Sequence, residues 1–417
     1  MGCTMKITVV GNVIVGLFTF VCAATPALSD EPAAAAADKT VDPDPSSLQV
    51  LSEGGVKFNS KLGLEVWVCD GQGVKTAIGQ TPSALPLEIP KCRWWVVQPL
   101  KGTSVAEVVA EGNRTGIEGL KLLFTATDGD LAQVSEWPKL QRLLIWCNPI
   151  TDAGMAHLKG LKELRTLNLS FTKVGDAGLV HLKELKGLRE LELDQSNGTN
   201  VPITDAGLVN LKGLVELREL TLGWTKITDA GLANLKDMKR LQFLSLRCTG
   251  ITKAGMDHLR GLVTLRRLDL GATKVTDPGL DSLKNMQELQ DLDLGSTKIT
   301  DAGLAGLEKV KSLRKLDLSQ TPITDAGLVH IKELKTLQSL DLATDHISDN
   351  GLAQLSELKG LQTLNLGGTK ITNAGLTHLM RLTKLKKLEL WGTKITSGGV
   401  MGLRLALPFM KIVDPDD

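Results

Sequence analysis

The chain has 417 residues, of which 73 are leucine, none is tyrosine and 3% are aromatic. Its 48 basic and 47 acidic residues leave a formal charge of +1, which argues against a nucleic-acid binder that works through a strong basic excess. The 42 glycines follow no G-X-Y period and 42% of residues are hydrophobic, so collagen-like and wholly disordered classes are excluded.

Met1 to Lys6 carries one positive charge, Ile7 to Ala24 is almost wholly apolar, and Ala27-Leu28-Ser29 puts small residues where a signal peptidase reads. Residues 1–29 therefore read as a secretory signal peptide, with an uncleaved membrane anchor as the alternative. Thr19, Phe20 and Val21 before Cys22 are not the small residues of a lipobox. Residues 30–47 are rich in Ala, Pro and acid and read as a disordered spacer. The expectation is a secreted, periplasmic or cell-surface monomer with no membrane span once the leader is removed. Cys69, Cys92, Cys147 and Cys248 would remain, and export makes a Cys69–Cys92 disulfide possible.

Residues 48–115 lack any repeat but contain strand-like runs at Leu64 to Val68 and Trp94 to Val97. They read as a small β-containing N-terminal cap, because a stacked array needs its end layer covered. An independent carbohydrate- or ligand-binding module is the other reading of this stretch.

From residue 116 to 417 one pattern takes over, L-x-x-L-x-L-x-x-T-x-I-T-D-A-G-L-x-x-L-x-x-L-x-x, weak near Ile117 and full from Leu140. Eleven full copies follow at spacings of 24 residues, with one spacing of 29 whose extra residues fall within Ser196 to Pro202. Leu265, Leu268 and Leu270 suit a short strand with one buried face. In the T-D-A-G-L segment the Asp is expected at the N-cap of a short helix, which would place Pro278 at the first helical position. No copy buries its leucines alone, so the copies must stack. This pattern resembles the leucine-rich repeat family, similar to repeats of bacterial secreted, ribonuclease-inhibitor-like and F-box proteins. The resemblance implies an α/β right-handed solenoid, a horseshoe with parallel strands on its concave face and short helices on its convex face. It also implies that the slot usually filled by Asn or Cys, here mostly Thr such as Thr273 and Thr297, hydrogen-bonds to the turn backbone.

No P-loop, dinucleotide loop, G-x-S-x-G or H-E-x-x-H occurs, so neither an enzyme nor a cofactor is expected. His157, His181, His258, His330 and His378 share one helix-side polar slot, with no Asp, Glu or Cys in that slot to complete a metal site. On the strand face, Asp269, Asp293, Asp317 and Asp341 form an acidic row, which reads either as a solvated lattice neutralised by Arg266, Arg267, Arg314, Lys315, Lys386 and Lys387 or as a polar platform for a partner. Trp146, Phe171, Trp224 and Phe243 are expected to be exposed beside it and to anchor a protein or peptide. The leading expectation is thus a non-enzymatic scaffold. An F-box-like receptor of a ubiquitin ligase is the alternative, weakened by the leader and the missing F-box.

Overall fold

The computed structural model describes residues 47–50, 55–69, 75–83, 85–122, 124–195 and 201–413. All lie in the second of two units, Ser46–Asp417. The leader with Cys22, nearly all of the spacer and residues 414–417 lie outside the described residues.

Six strands precede the array: β1 (Ser47–Val50), β2 (Val56–Asn59), β3 (Leu64–Cys69), β4 (Lys75–Thr81), β5 (Leu87–Ile89) and β6 (Trp94–Pro99). β2 pairs antiparallel with β1 and β5 to make a separate small sheet. β3 pairs antiparallel with β4 and β6, and β6 then pairs parallel with β7 (Gly119–Lys121), the first strand of the array. The two strand-like runs of the N-terminal region are present, and they continue the repeat sheet as its first strands. Between them and the array, α1 (Val105–Thr115) starts at a capping box in which Ser104 and Glu107 bond reciprocally, and it stops at Gly116 with φ of 80°.

Each later copy contributes a three-residue strand, for example Asp291–Asp293, whose central Leu292 points into the core. Every strand pairs parallel with its predecessor, so the described residues form one 16-stranded sheet ending at Lys411–Val413. The 29-residue spacing leaves the register intact, with Leu191 opposite Leu220. The leucine slots form one continuous core. Fully burying such a side chain stabilises by about 1.5–3 kcal/mol, and a copy gains it only when a neighbour supplies the other wall.

Two ladders run along the array, one within the turns and one between copies. In the first, the slot threonine donates its hydroxyl to the carbonyl three residues back, as Thr297 to Leu294 at 2.6 Å and Thr172 to Leu169 at 2.7 Å. Asn148 fills the same slot in the first full copy, donating to the Leu122 and Ile145 carbonyls at 2.9 and 3.0 Å and accepting from Ala126 N–H at 2.7 Å.

The second ladder corrects the expected helix register. The N-cap is the threonine before the aspartate, as at Thr300, and Asp301 is the first helical residue. Pro278 is accordingly the second residue of its helix, Asp277–Leu280. The aspartate is free of capping its own helix because its carboxylate reaches the next copy. Asp301 accepts from Thr324 N–H at 2.8 Å and Thr324 O–H at 2.6 Å, and Asp229, Asp277 and Asp349 repeat the pattern on Thr252, Thr300 and Thr372. The glycine of the motif follows from this rung. A Cβ at Gly327 or Gly351 would be driven into the aspartate oxygen of the preceding copy. Lys253, Asn373 and Ser397 replace the aspartate in three copies; Asn373 still accepts from Thr396 N–H, whereas among the described residues no rung runs from Lys253 to Thr276.

Candidate binding face

The concave side of each copy presents a flank residue, two strand residues and the start of a turn. In the copy beginning at Leu265 these are Arg266, Arg267, Asp269 and Gly271. Neighbouring strands lie about 4.8 Å apart, so side chains in one slot stand in rows across the sheet.

The acidic row is built by local turns. Asp269, Asp293, Asp317 and Asp341 each turn Oδ1 back to accept the backbone N–H two residues on, at 2.9, 2.8, 2.9 and 2.9 Å. Oδ2 accepts from Ser245 at 3.0 Å in Asp269, from Arg247 at 2.7 Å in Asp293 and from Asn365 at 2.9 Å in Asp341. Burial, then the neighbouring carboxylates of Asp317 and Asp269, push Asp293 up to about 6 against the opposing pull of Gly295 N–H and Arg247. Four of the six cations expected to neutralise this row are engaged elsewhere. Arg266 pairs with Glu288 at 3.1 Å, Arg267 with Glu219 at 3.5 Å, Lys315 with Asp291 at 3.8 Å and Lys387 with Glu389 at 2.5 Å. The compensating cation is Arg247, one slot past its strand, which bridges Asp269 and Asp293 at 3.6 and 2.7 Å.

The four aromatics occupy three different slots and do not form one patch. Half-buried Trp146 and Phe171, 37% exposed, line a cavity of about 340 Å3 with Trp67 and Trp94 of the N-terminal strands. Leu144 is buried beneath them with Val96 and Cys69. Phe243 lies under the Arg267 guanidinium, 4.2 Å from the ring centroid. Trp224 is half-buried at a left-handed turn position, φ 61°, and lines neither this cavity nor the groove described next.

A second, wider groove of about 1010 Å3 follows the N-terminal ends of the strands from Lys75 and Arg93 to Lys315. Nine basic side chains line it against four acidic ones, a local excess that the near-zero net charge conceals. Arg93 closes its near end, bonding Glu190 at 2.6 Å and Glu219 at 3.0 Å. Exposed Arg189 and Arg218 project into it, and no hydrogen bond or ion pair engages either side chain among the described residues. The signal for this row was in the sequence: Arg165, Arg189, Arg218, Arg266 and Arg314 recur just after the first leucine of their copies.

Cys69 and Cys92 are present as thiols, and the possible disulfide is not formed. Cys69 is buried in register with Trp94, whereas Cys92 turns its sulfur to the Trp94 carbonyl at 3.3 Å, and burial pushes its thiol up. Among the histidines, His330 meets Glu308 of the preceding copy at 2.7 Å, a partner from outside the shared slot. No group of three or more metal-ligating side chains occurs among the described residues, and no described helix is long and apolar enough to cross a membrane.

The molecule is similar in structure to an internalin, inlF, of Listeria monocytogenes, with 26% identity and a TM-score of 0.59 over 77% of this chain and 86% of that one. It is also similar to a leucine-rich repeat protein of Leptospira interrogans, at 19% identity and a TM-score of 0.51 over 76% and 82% of the two chains. No curated protein sequence matches it. Residues 121–402 match the model of a leucine-rich repeat region, which spans the ladders, the core and most of the concave face. With the repeats, the stacked parallel sheet and this match in agreement, the chain belongs to the leucine-rich repeat family, whose members serve in the main as non-enzymatic scaffolds for protein interaction.

Proposed function

We propose that this protein is an exported, non-enzymatic scaffold that holds a protein or peptide partner on its concave strand face. The observation that carries this reading is the pair Arg189 and Arg218, exposed in the basic groove while the nearby carboxylates Glu190 and Glu219 are occupied by Arg93. Unpaired arginines clustered in a concave surface raise the local potential and offer planar forks to partner carboxylates. Four acidic side chains and Phe243 interleave with them. That pattern suits a protein surface carrying acidic and apolar residues better than a uniform polyanion. The acidic row at Asp269 to Asp341 supplies the opposite charge farther along the strands, so a partner would meet two fields of fixed sign. Export rests on the leader at 1–29.

The test is to crosslink the tagged full chain in its producing culture and map the linked residues. Partner crosslinks should concentrate on Lys75 and Lys315, which line the groove. Crosslinks confined to the helix-side lysines Lys212 and Lys236 would overturn the assignment.

A further inference from the structure

The cavity between the N-terminal strands and the first repeats has a chemistry of its own. Its walls are aromatic: Trp94 from β6, and Trp146 and Phe171 from the first two full copies. Phe124, 49% exposed, stands edge-on to Trp146 with centroids 5.8 Å apart. Two polar side chains line this space, a buried hydroxyl without a partner and an ammonium held over an aromatic ring. Ser170 is 3% exposed, and its hydroxyl has no hydrogen-bond partner. Lys121 is 7% exposed, and its ammonium lies 3.2 Å from the Trp67 ring centroid with no hydrogen-bond acceptor among the described residues. Leaving such groups unmet is costly, and native interiors rarely do so. Acceptors lie opposite. Glu192 takes a hydrogen bond from Asn168 at 2.5 Å and keeps its other oxygen 3.6 Å from Lys75.

We propose that this cavity binds a neutral sugar ring of a glycan. A pyranose presents an apolar C–H face to Trp146 and Trp94 and a rim of hydroxyls, each both donor and acceptor. Those hydroxyls accept from Lys121 and Ser170 and donate to Glu192. The competing occupants fit less well. An aliphatic side chain of a protein partner would seal Ser170 and Lys121 away without an acceptor. An anionic group would meet Glu192 and Asp194, whose carboxyls burial already holds above their ordinary range. The volume of about 340 Å3 falls in the range of small-molecule sites. The site goes beyond the partner groove, because neither Arg189 nor Arg218 lines it.

The full chain is titrated with neutral cello-, malto-, manno-, xylo- and N-acetylated chito-oligosaccharides, and with a sulfated oligosaccharide and an acidic peptide as charged counterparts, reading tryptophan fluorescence and ligand-observed saturation-transfer NMR. Saturable binding of at least one series is expected. Trp146→Ala should weaken it at least about tenfold and Ser170→Ala at least about threefold. Trp391→Ala, at the far end of the array, should leave it unchanged. Circular dichroism checks each fold, and if Trp146→Ala unfolds, Ser170→Ala and Lys121→Met carry the comparison. No saturable binding across the panel, or equal binding by Trp391→Ala and folded pocket variants, overturns the site. Binding restricted to sulfated oligosaccharides or acidic peptides and insensitive to Ser170→Ala also overturns it, and assigns recognition to the arginine groove.

Discussion

Aspartate recurs every 24 residues on both sides of this solenoid, and the two series differ in where their oxygens go. On the helix side, Asp301 spends both oxygens on Thr324 of the next copy. On the strand side, Asp293 turns one oxygen onto its own turn and offers the other to Arg247, a side chain 42% exposed. The first arrangement is a joint between copies, repeated wherever the motif allows. The second closes within one copy and leaves an outward oxygen whose partner varies, from Ser245 to Arg247 to Asn365. Identical residues at identical period therefore separate into structure and surface by the direction of the carboxylate alone.

The largest effects should come from breaking the joint. Gly231→Ala would drive a Cβ into Asp205 Oδ1, and overpacking of that kind costs about 1–3 kcal/mol. Gly279→Ala is the control, because Lys253 stands where the aspartate would be and the nearest atom is Val275 Cγ1 at 3.0 Å. It should cost less than about 1 kcal/mol. Equal losses in urea melts would remove the rung as the reason for the glycine.

Asp345 extends the contrast to a position where the aspartate is misplaced. It fills the threonine slot, is 2% exposed, accepts from Thr321 N–H at 2.8 Å and leaves Oδ2 with no partner. Burial pushes it up to about 8. The folded chain then holds this proton up to about pH 8, while the unfolded carboxyl releases it near 4. Its contribution is complete below about pH 4 and is lost as pH rises towards 8. Asp345→Asn, which copies the amide of Asn148, should raise stability by about 1–3 kcal/mol at pH 9 and change little at pH 4. A pH-independent difference in thermal unfolding would show that the carboxyl is not held neutral.

Mending the gap should give a smaller gain. Lys253→Asp places a carboxylate ahead of Thr276, opposite a glycine already present, and should stabilise by about 1 kcal/mol despite losing the exposed Lys253–Asp257 pair. The smallest effect belongs to the strand row. Arg247→Ala should cost under about 1 kcal/mol, since the guanidinium is partly exposed and screened. It should nevertheless move the Asp293 titration above about 6, because a cation that lowers it is removed. Carboxyl NMR reads that shift, and an unchanged titration would deny the bridge.

The leucine period made the solenoid legible because each buried slot tolerates few alternatives. The Asp-Ala-Gly triplet was legible as a helix start but not as an inter-copy rung, since its partner is 23 residues away and helix capping explains the same letters. The aromatics do not form one patch because Trp146 and Phe171 sit in the turn after their strands, one slot apart, whereas Phe243 opens its strand four to five slots earlier. The pairing of Lys121 with Trp67 is not legible in sequence, because the N-terminal strands give no sign there that they extend the repeat sheet. The arginine row is legible at its slot, although a net charge of +1 conceals it in the composition.

The most direct test of the concave face as the working surface compares two charge-reversed variants of the full chain, Arg189→Glu/Arg218→Glu in the groove and Lys212→Glu/Lys236→Glu on the helix side. Both alter exposed residues and should unfold like the parent. Partner binding, measured at low and high salt, should fall at least about tenfold in the groove variant and lose its salt dependence, while the helix-side variant binds as the parent does. Retention by the groove variant with loss in the helix-side variant would contradict the account.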